Sequence, residues 1–271
     1  MPTKESRNSQ LTISRASFKK DLGRADRAVN KKVGAYLEVS NERNVHDLRT
    51  ATRRLLAGVE LLPKKIRNSR KVARYESNLW ELMKLNAKTR DLDLVLSKIN
   101  ERSRTEDHTL LLASLKQLRK SSVVPGRSFA RSLKSKLSLP VDLKYVSGSD
   151  LKKRFEKVSR KYLSKVNERL PAVLSKPDEK KDLHLLREDV RTLRYVLSLG
   201  EGRSLSSVLK VLKSWQSVLG DVHDSDIFVQ YLTEHTKFDD AGSLLEDEMA
   251  VRNRNYDKFR TLAEHQLKLP D

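Results

Sequence analysis

Two long stretches without proline, residues 64–124 and 178–269, dominate the sequence. Within both stretches apolar residues recur every three or four positions, as in Val208, Leu209 and Leu212, whereas alternation over the length of a strand is hard to find. This spacing predicts an all-α fold. The predicted helices, with boundaries good to about two to four residues, cover 17–39, 45–62, 71–87, 91–103, 107–120, 149–169, 181–199, 204–219, 224–236 and 240–266.

Charge and composition narrow the class of partner. The chain of 271 residues carries 56 Lys and Arg against 36 Asp and Glu, a net charge of +20, so a polyanion is the first candidate partner. The absence of cysteine excludes disulfides, thiolate zinc sites and a cysteine nucleophile. No apolar run approaches the roughly 18–20 residues that cross a bilayer, and the polar start of the chain has no secretory signal. We therefore expect a cytoplasmic protein with no membrane partner and no cofactor.

The sequence contains an internal repeat. VHDLRTATRR at 45–54 resembles LHLLREDVRT at 183–192, 138 residues later, and RDLDLV at 90–95 resembles HDSDIF at 223–228, 133 residues later. Two units with the same two motifs in the same order predict two pseudo-symmetric helical bundles of about four to five helices each. The expected segments are a flexible N-terminus at 1–16, a first bundle at 17–124, a linker at 125–148 and a second bundle at 149–266.

Each copy of the first motif places one histidine and two arginines within an arc of about 60° on a helix with 100° per residue. These residues are His46, Arg49 and Arg53 in the first copy and His184, Arg187 and Arg191 in the second. A single stripe of this kind is more often a solvated helix face. However, arginines one turn apart repel by about 0.2–0.5 kcal/mol per pair, and the same register occurs twice. An extended anion would offset this repulsion, because arginine binds phosphate oxygens bidentately.

The second motif contains Asp-x-Asp, which allows three interpretations. Asp91 and Asp224 suit the N-cap of a helix, with Asp93 and Asp226 in its first turn, and this is the interpretation we favour. The carboxylates could instead orient nearby arginines, or hold Mg²⁺ for catalysis on phosphates. The two tryptophans, Trp80 and Trp215, are expected in the core rather than at a surface that stacks bases.

The two motifs together resemble the conserved histidine α-helical domain family, known as CHAD. The resemblance rests on VHDLRTATRRL and NAKTRDLDLVL in the first half and on LHLLREDVRTLRY and LGDVHDSDIFV in the second, and it covers about residues 17–265. It implies two helical bundles with a basic groove or pore between them, and binding of inorganic polyphosphate rather than catalysis. Two departures, Leu56 in the place of Arg194 and Asn86-Ala87 in the place of Leu-Gly, imply that the first half contributes fewer ligands.

The expected polyphosphate site combines the stripes with neighbouring basic residues. Its members are His46, Arg49, Arg53, Arg54, Lys88, Arg90, His184, Arg187, Arg191, Arg194, Lys213 and His223. If its histidines are neutral in the free protein, binding should strengthen below about pH 6.5, because each would gain a charge. The expected location is the cytoplasm, in association with polyphosphate granules and the proteins bound to them.

Two alternatives remain open. A basic helical protein of this charge could bind nucleic acid, although aromatic residues make up only 6% of the chain and are not interleaved with the basic stripes. A phosphohydrolase could use the paired aspartates with Mg²⁺.

Overall fold

The computed structural model describes residues 12–102, 109–133, 137–235 and 238–266. Within these ranges the chain forms α1 (Arg15–Glu38), α2 (Glu42–Glu60), α3 (Lys64–Arg67), α4 (Arg70–Leu85), α5 (Ala87–Arg102), α6 (Thr109–Leu133), α7 (Gly148–Ser175), α8 (Lys180–Leu197), α9 (Arg203–His235) and α10 (Phe238–Gln266). A short 3₁₀ turn lies at Leu143–Tyr145. β structure in the described residues is limited to one isolated bridge. The predicted all-α class is confirmed, and no helix of the described residues is long and apolar enough to span a membrane.

Side-chain oxygen atoms cap the N-termini of three helices. Ser14, Asn41 and Ser147 lie at the N-caps of α1, α2 and α7, and each accepts a hydrogen bond from a backbone N–H in the first turn. Pro63 follows the end of α2 and starts the short α3, since proline fits the first turn of a helix but not its interior. The two motif helices, α2 and α8, lie near their predicted positions, although α8 has no side-chain cap.

The predicted flexible segment 1–16 is wrong at its C-terminal end; residues 1–11 lie outside the described residues. Thr12 forms the isolated bridge with Glu201, whose N–H donates to the Thr12 carbonyl at 2.8 Å. Ile13 is buried, and α1 begins at Arg15. An apolar side chain and a helix cap thus hold the chain from residue 12 onward.

The predicted linker 125–148 is wrong at its N-terminal end, because α6 runs through Pro125 to Leu133. Tertiary packing offsets the cost of the proline: Val123 and Ala130 are buried on this helix. Gly126 lets α6 approach the end of α4, where an added Cβ would lie 2.7 Å from the Asn86 side chain. Likewise α9 is continuous from 203 to 235, whereas two separate helices were predicted there.

The helices pack in the same order in both halves. Contacts join α1 to α2 and α5 to α6 in the first half, and α7 to α8 and α9 to α10 in the second. Between the halves, α2 packs on α8 and α5 packs on α9. The four helices that carry the two motifs are therefore neighbours.

The apolar core extends across both halves. The larger cluster joins Phe18 and Leu55 of the first half to Phe155 and Trp215 of the second. The smaller cluster joins side chains of α5 and α6 to side chains of α9 and α10. The two halves therefore share their core.

Candidate functional site

A cavity of about 380 Å³ lies where α2, α5, α8 and α9 meet. Seven of the predicted site residues line it, and we call it the motif cavity. These seven are His46, Arg49, Arg53, Arg90, His184, Arg187 and His223. The helices place them there because each motif helix buries one face and turns the opposite face, with its histidine and arginines, toward the cavity.

The arginines of the motif cavity are held close to one another. Burial first, and then the neighbouring charges of Arg191, Arg49 and Arg187, together lower the pKa of Arg53 to about 9. Burial likewise lowers the pKa values of Arg49 and Arg187 to about 10. Among the described residues, Arg53 and Arg187 form no hydrogen bond and no ion pair. These two guanidinium groups are therefore available to an anion.

Burial lowers the pKa values of His223 and His46 in the motif cavity. The His184 and His223 rings are in contact, with their Nδ1 atoms 3.4 Å apart. Burial, and then the charge of Arg187, lowers the pKa of His223 to about 3. Burial and the charge of Arg90 lower the pKa of His46 as well. An anion in the cavity would reverse the effect of the neighbouring arginines and favour protonation of these rings.

Carboxylates also reach the cavity. Glu188 lies 3.5 Å from the His184 Nε2 and 3.2 Å from the Arg191 guanidinium, and the hydrogen bond to His184 contributes most to lowering its pKa to about 2. Asp91 and Asp224 enter the cavity from the two halves, and burial raises the pKa of each. The cavity is therefore cationic with three carboxylates in its wall, and these carboxylates partly neutralise Arg49 and Arg187.

The favoured N-cap interpretation of the Asp-x-Asp motifs is wrong. Asp91 lies in the second turn of α5 and Asp224 lies well inside α9, because both helices begin earlier than predicted. The second aspartate of each motif instead pairs with an arginine of the following helix: Asp93 with Arg119 at 2.8 Å, and Asp226 with Arg252 at 3.2 Å. This is the interpretation in which the carboxylates orient arginines. No group of three or more His, Asp or Glu placed to hold a metal occurs among the described residues.

Arg119 and Arg252 pair with aspartates of the second motif next to the cavity, and neither was predicted from the sequence. Arg119 and Arg252 are 133 residues apart, the same offset that relates the two Asp-x-Asp motifs, so the repeat itself contained the signal. Each also donates to a backbone carbonyl just before a motif helix, Arg119 to Ser40 and Arg252 to Pro177. They tie the start of the motif helix to the helix that carries the aspartates.

A second cavity, of about 490 Å³, adjoins the motif cavity and shares Arg49, Arg53 and Glu188 with it. We call it the Trp80 cavity. Arg191, which is buried, lines this cavity rather than the motif cavity. The expectation that Trp80 is a core residue is wrong: its side chain lies at this cavity with 57% of its surface exposed. Trp215 is buried, as expected.

Comparison with known proteins identifies the family. The sequence profile of the CHAD domain matches residues 23–233. The chain belongs to the CHAD family. The crystal structure of the CHAD domain from the plant Ricinus communis is similar to this structure, with a TM-score of 0.60 and 17% sequence identity over 97% of this chain and 95% of that chain. A search of proteins with curated functions finds no significant match.

Four predicted site residues of this CHAD domain lie away from the motif cavity. Arg194 and Lys213 line a separate shallow depression, and the Arg194 Nε donates to Gln216 at 2.6 Å. Arg54 is exposed, with its guanidinium 5.9 Å from the ring of Tyr195. Lys88 is exposed on α5 and lines neither the motif cavity nor the Trp80 cavity. Arg54 points away from the cavity because successive residues on a helix are about 100° apart and Arg53 occupies the stripe.

Proposed function

We propose that this CHAD domain binds inorganic polyphosphate in the motif cavity, without hydrolysing it. The observation that carries the proposal is that Arg53 of α2 and Arg187 of α8, one from each motif helix, face one cavity and form no hydrogen bond or ion pair within the described residues. Phosphate oxygens would accept bidentate hydrogen bonds from these groups and relieve the repulsion that lowers their pKa values. Arg49 and the three histidines would add further contacts.

The direction of the basic faces favours a thin, flexible polyanion over a nucleic-acid duplex. Groove readout requires a helix that protrudes with its base-reading side chains outward. Here five of the six stripe residues of α2 and α8, all except Arg191, line a cavity between four helices. A chain of phosphates without bases can enter such a cavity, whereas a duplex cannot.

Competition tests the proposal against nucleic acid. Labelled long-chain polyphosphate is bound first. Unlabelled polyphosphate or RNA is then added in increasing amounts, with both concentrations expressed as phosphate. We expect polyphosphate to compete at far lower concentration than RNA. Affinity should fall about 50-fold between 50 and 200 mM salt if about four phosphates are contacted. Displacement by RNA at lower phosphate concentration would overturn the proposal.

The non-catalytic part of the proposal has its own test. Purified protein is incubated with polyphosphate and Mg²⁺, and orthophosphate release is followed alongside the variants Asp91→Asn and Asp224→Asn. We expect no release above the level of the two variants. Release by the native protein that both substitutions abolish would make the protein a phosphohydrolase.

A further inference from the structure

The Trp80 cavity has a chemical character that inorganic polyphosphate does not use. Three of its lining side chains, Leu56, Ala57 and Met83, are apolar and buried, and the indole of Trp80 is exposed beside them. A phosphate chain has no apolar surface to place against these groups. An isolated exposed aromatic residue is ordinary, but this one lines a cavity that opens onto the arginines of the proposed polyphosphate site.

The charged groups of this cavity are divided between two sides. Glu76 accepts two hydrogen bonds from Arg67, and Glu60 accepts from the Tyr162 hydroxyl at 2.8 Å and from Lys161 at 3.2 Å. These carboxylates are therefore already occupied by partners of their own.

On the other side, Arg49 and Arg53 belong to both cavities, and Arg191 stands next to them on the facing motif helix. Of these three, Arg53 has no partner in the described part of the chain, and Arg191 has Glu188 at 3.2 Å. The arginines on this side can therefore bind phosphate groups.

We propose that the Trp80 cavity holds the base of a nucleoside polyphosphate whose phosphates lie on Arg49, Arg53 and Arg191. This inference rests on the proposed function, because it uses the same arginines for the phosphates. The indole stacks on the base, the apolar side chains cover its edge, and the phosphates extend from there into the motif cavity. A volume of about 490 Å³ lies within the range of small-molecule sites, about 300–1,000 Å³. The ligand class is therefore a phosphate chain that carries a heteroaromatic base.

Two probes with three phosphates each, ATP and inorganic tripolyphosphate, separate the base from the phosphates. Their dissociation constants are measured by calorimetry for the native protein, for Trp80→Ala and for Tyr145→Ala. Tyr145 is the matched control, since it is an exposed aromatic residue of the 3₁₀ turn and lines neither cavity. We expect Trp80→Ala to weaken ATP by about 5- to 100-fold, the usual effect of losing one stacked base, and to change tripolyphosphate by less than twofold. Tyr145→Ala should change neither.

Fluorescence gives an independent readout. The chain has two tryptophans, and Trp215 is buried against the edge of Phe259, so a ligand that quenches emission on binding reports on Trp80. ATP should quench the native protein and tripolyphosphate should not. A third variant, Arg53→Gln, should weaken both ligands.

The outcomes distinguish this inference from the proposed function. If the native protein binds tripolyphosphate but not ATP, or if Trp80→Ala weakens both equally, the inference is overturned and polyphosphate binding stands. If neither tripolyphosphate nor long-chain polyphosphate binds the native protein, the proposed function itself fails.

Discussion

Replacing Arg53 by glutamine should make the protein more stable and a weaker polyphosphate binder at the same time. Arg53 is half-buried beside three other arginines and, within the described residues, has no acidic partner. Glutamine keeps much of the side chain's length and its capacity to hydrogen-bond, but removes the charge. Opposite effects on stability and binding are typical of a group that is kept for its ligand rather than for the fold.

The size of the effect follows from the pKa of Arg53. A decrease to about 9 corresponds to roughly 4–5 kcal/mol at about 1.36 kcal/mol per pKa unit. Because the folded state has the lower pKa, this penalty is fully present at any pH below about 9 and is relieved only as the pH rises beyond it. Residual contact with water and the lost packing of the aliphatic stem reduce the net gain to about 1–2 kcal/mol. For a chain of this size that gain corresponds to an increase in Tm of about 2–8 °C.

Urea unfolding at pH 7.5 measures the stability, and calorimetric titration with polyphosphate measures the binding. The midpoint should rise without a change in slope. Affinity should fall about 10- to 150-fold, as expected for one charge-assisted contact, and the salt dependence should lose about one phosphate contact. The matched control is Arg54→Gln, at the next position on α2, exposed and outside the cavity. A loss of stability in Arg53→Gln together with unchanged binding would refute the reasoning.

Three further substitutions test other parts of the site. Glu188→Gln should raise polyphosphate affinity by about 3- to 10-fold, because it frees Arg191 from a carboxylate, and should cost at most about 1 kcal/mol of stability; weaker binding would contradict this. His223→Gln should reduce the proton uptake that accompanies binding at acidic pH, since the ring stays neutral down to about pH 3 in the free protein and nearby phosphates would raise its pKa; calorimetry in two buffers measures it, and an unchanged uptake would argue against a ligand at this ring. Asp93→Asn should destabilise the protein by about 3–5 kcal/mol, because it leaves the Arg119 guanidinium without its buried partner, whereas a melting temperature equal to that of the native protein would show that the pair is not structural.

The sequence predicted the parts of the site that depend on helical geometry alone. On a helix, residues three and four positions apart share a face, so His46, Arg49 and Arg53 were expected together, and they do line one cavity. The 138-residue offset placed the second stripe in the same way. That the two stripes face each other could be expected only from the repeat and the family resemblance.

The errors arose where tertiary packing overrides local signals. Pro125 and Gly220 both indicate a break between helices. Each nevertheless lies inside a helix, because neighbouring helices pack against the turns beside it. With α9 continuous, Asp224 could not be an N-cap. Glu188 could not be predicted from the repeat, because the corresponding residue of the first copy is Thr50, 3.5 Å from His46.

Trp80 shows the limit of composition and periodicity. Its spacing with Leu79 and Met83 fits an apolar helix face, and Leu79 and Met83 are indeed buried. The indole, however, lies at the edge of that face, where the neighbouring helices leave a cavity instead of covering it. The packing of α2 against α4, with α7 and α8 lining the rest of the cavity, determines that outcome.

The interior shared by the two halves has a consequence for how this domain can change over evolutionary time. Since Leu92 and Ile99 of one repeat pack with Phe228 and Leu232 of the other, neither repeat can be deleted, exchanged or shuffled into another protein without exposing apolar surface on the one left behind. The duplicated units are inherited as a pair. Substitutions can still accumulate separately in the cavity-lining residues of each repeat. The fold is then kept while the two sides of the cavity come to differ in chemistry.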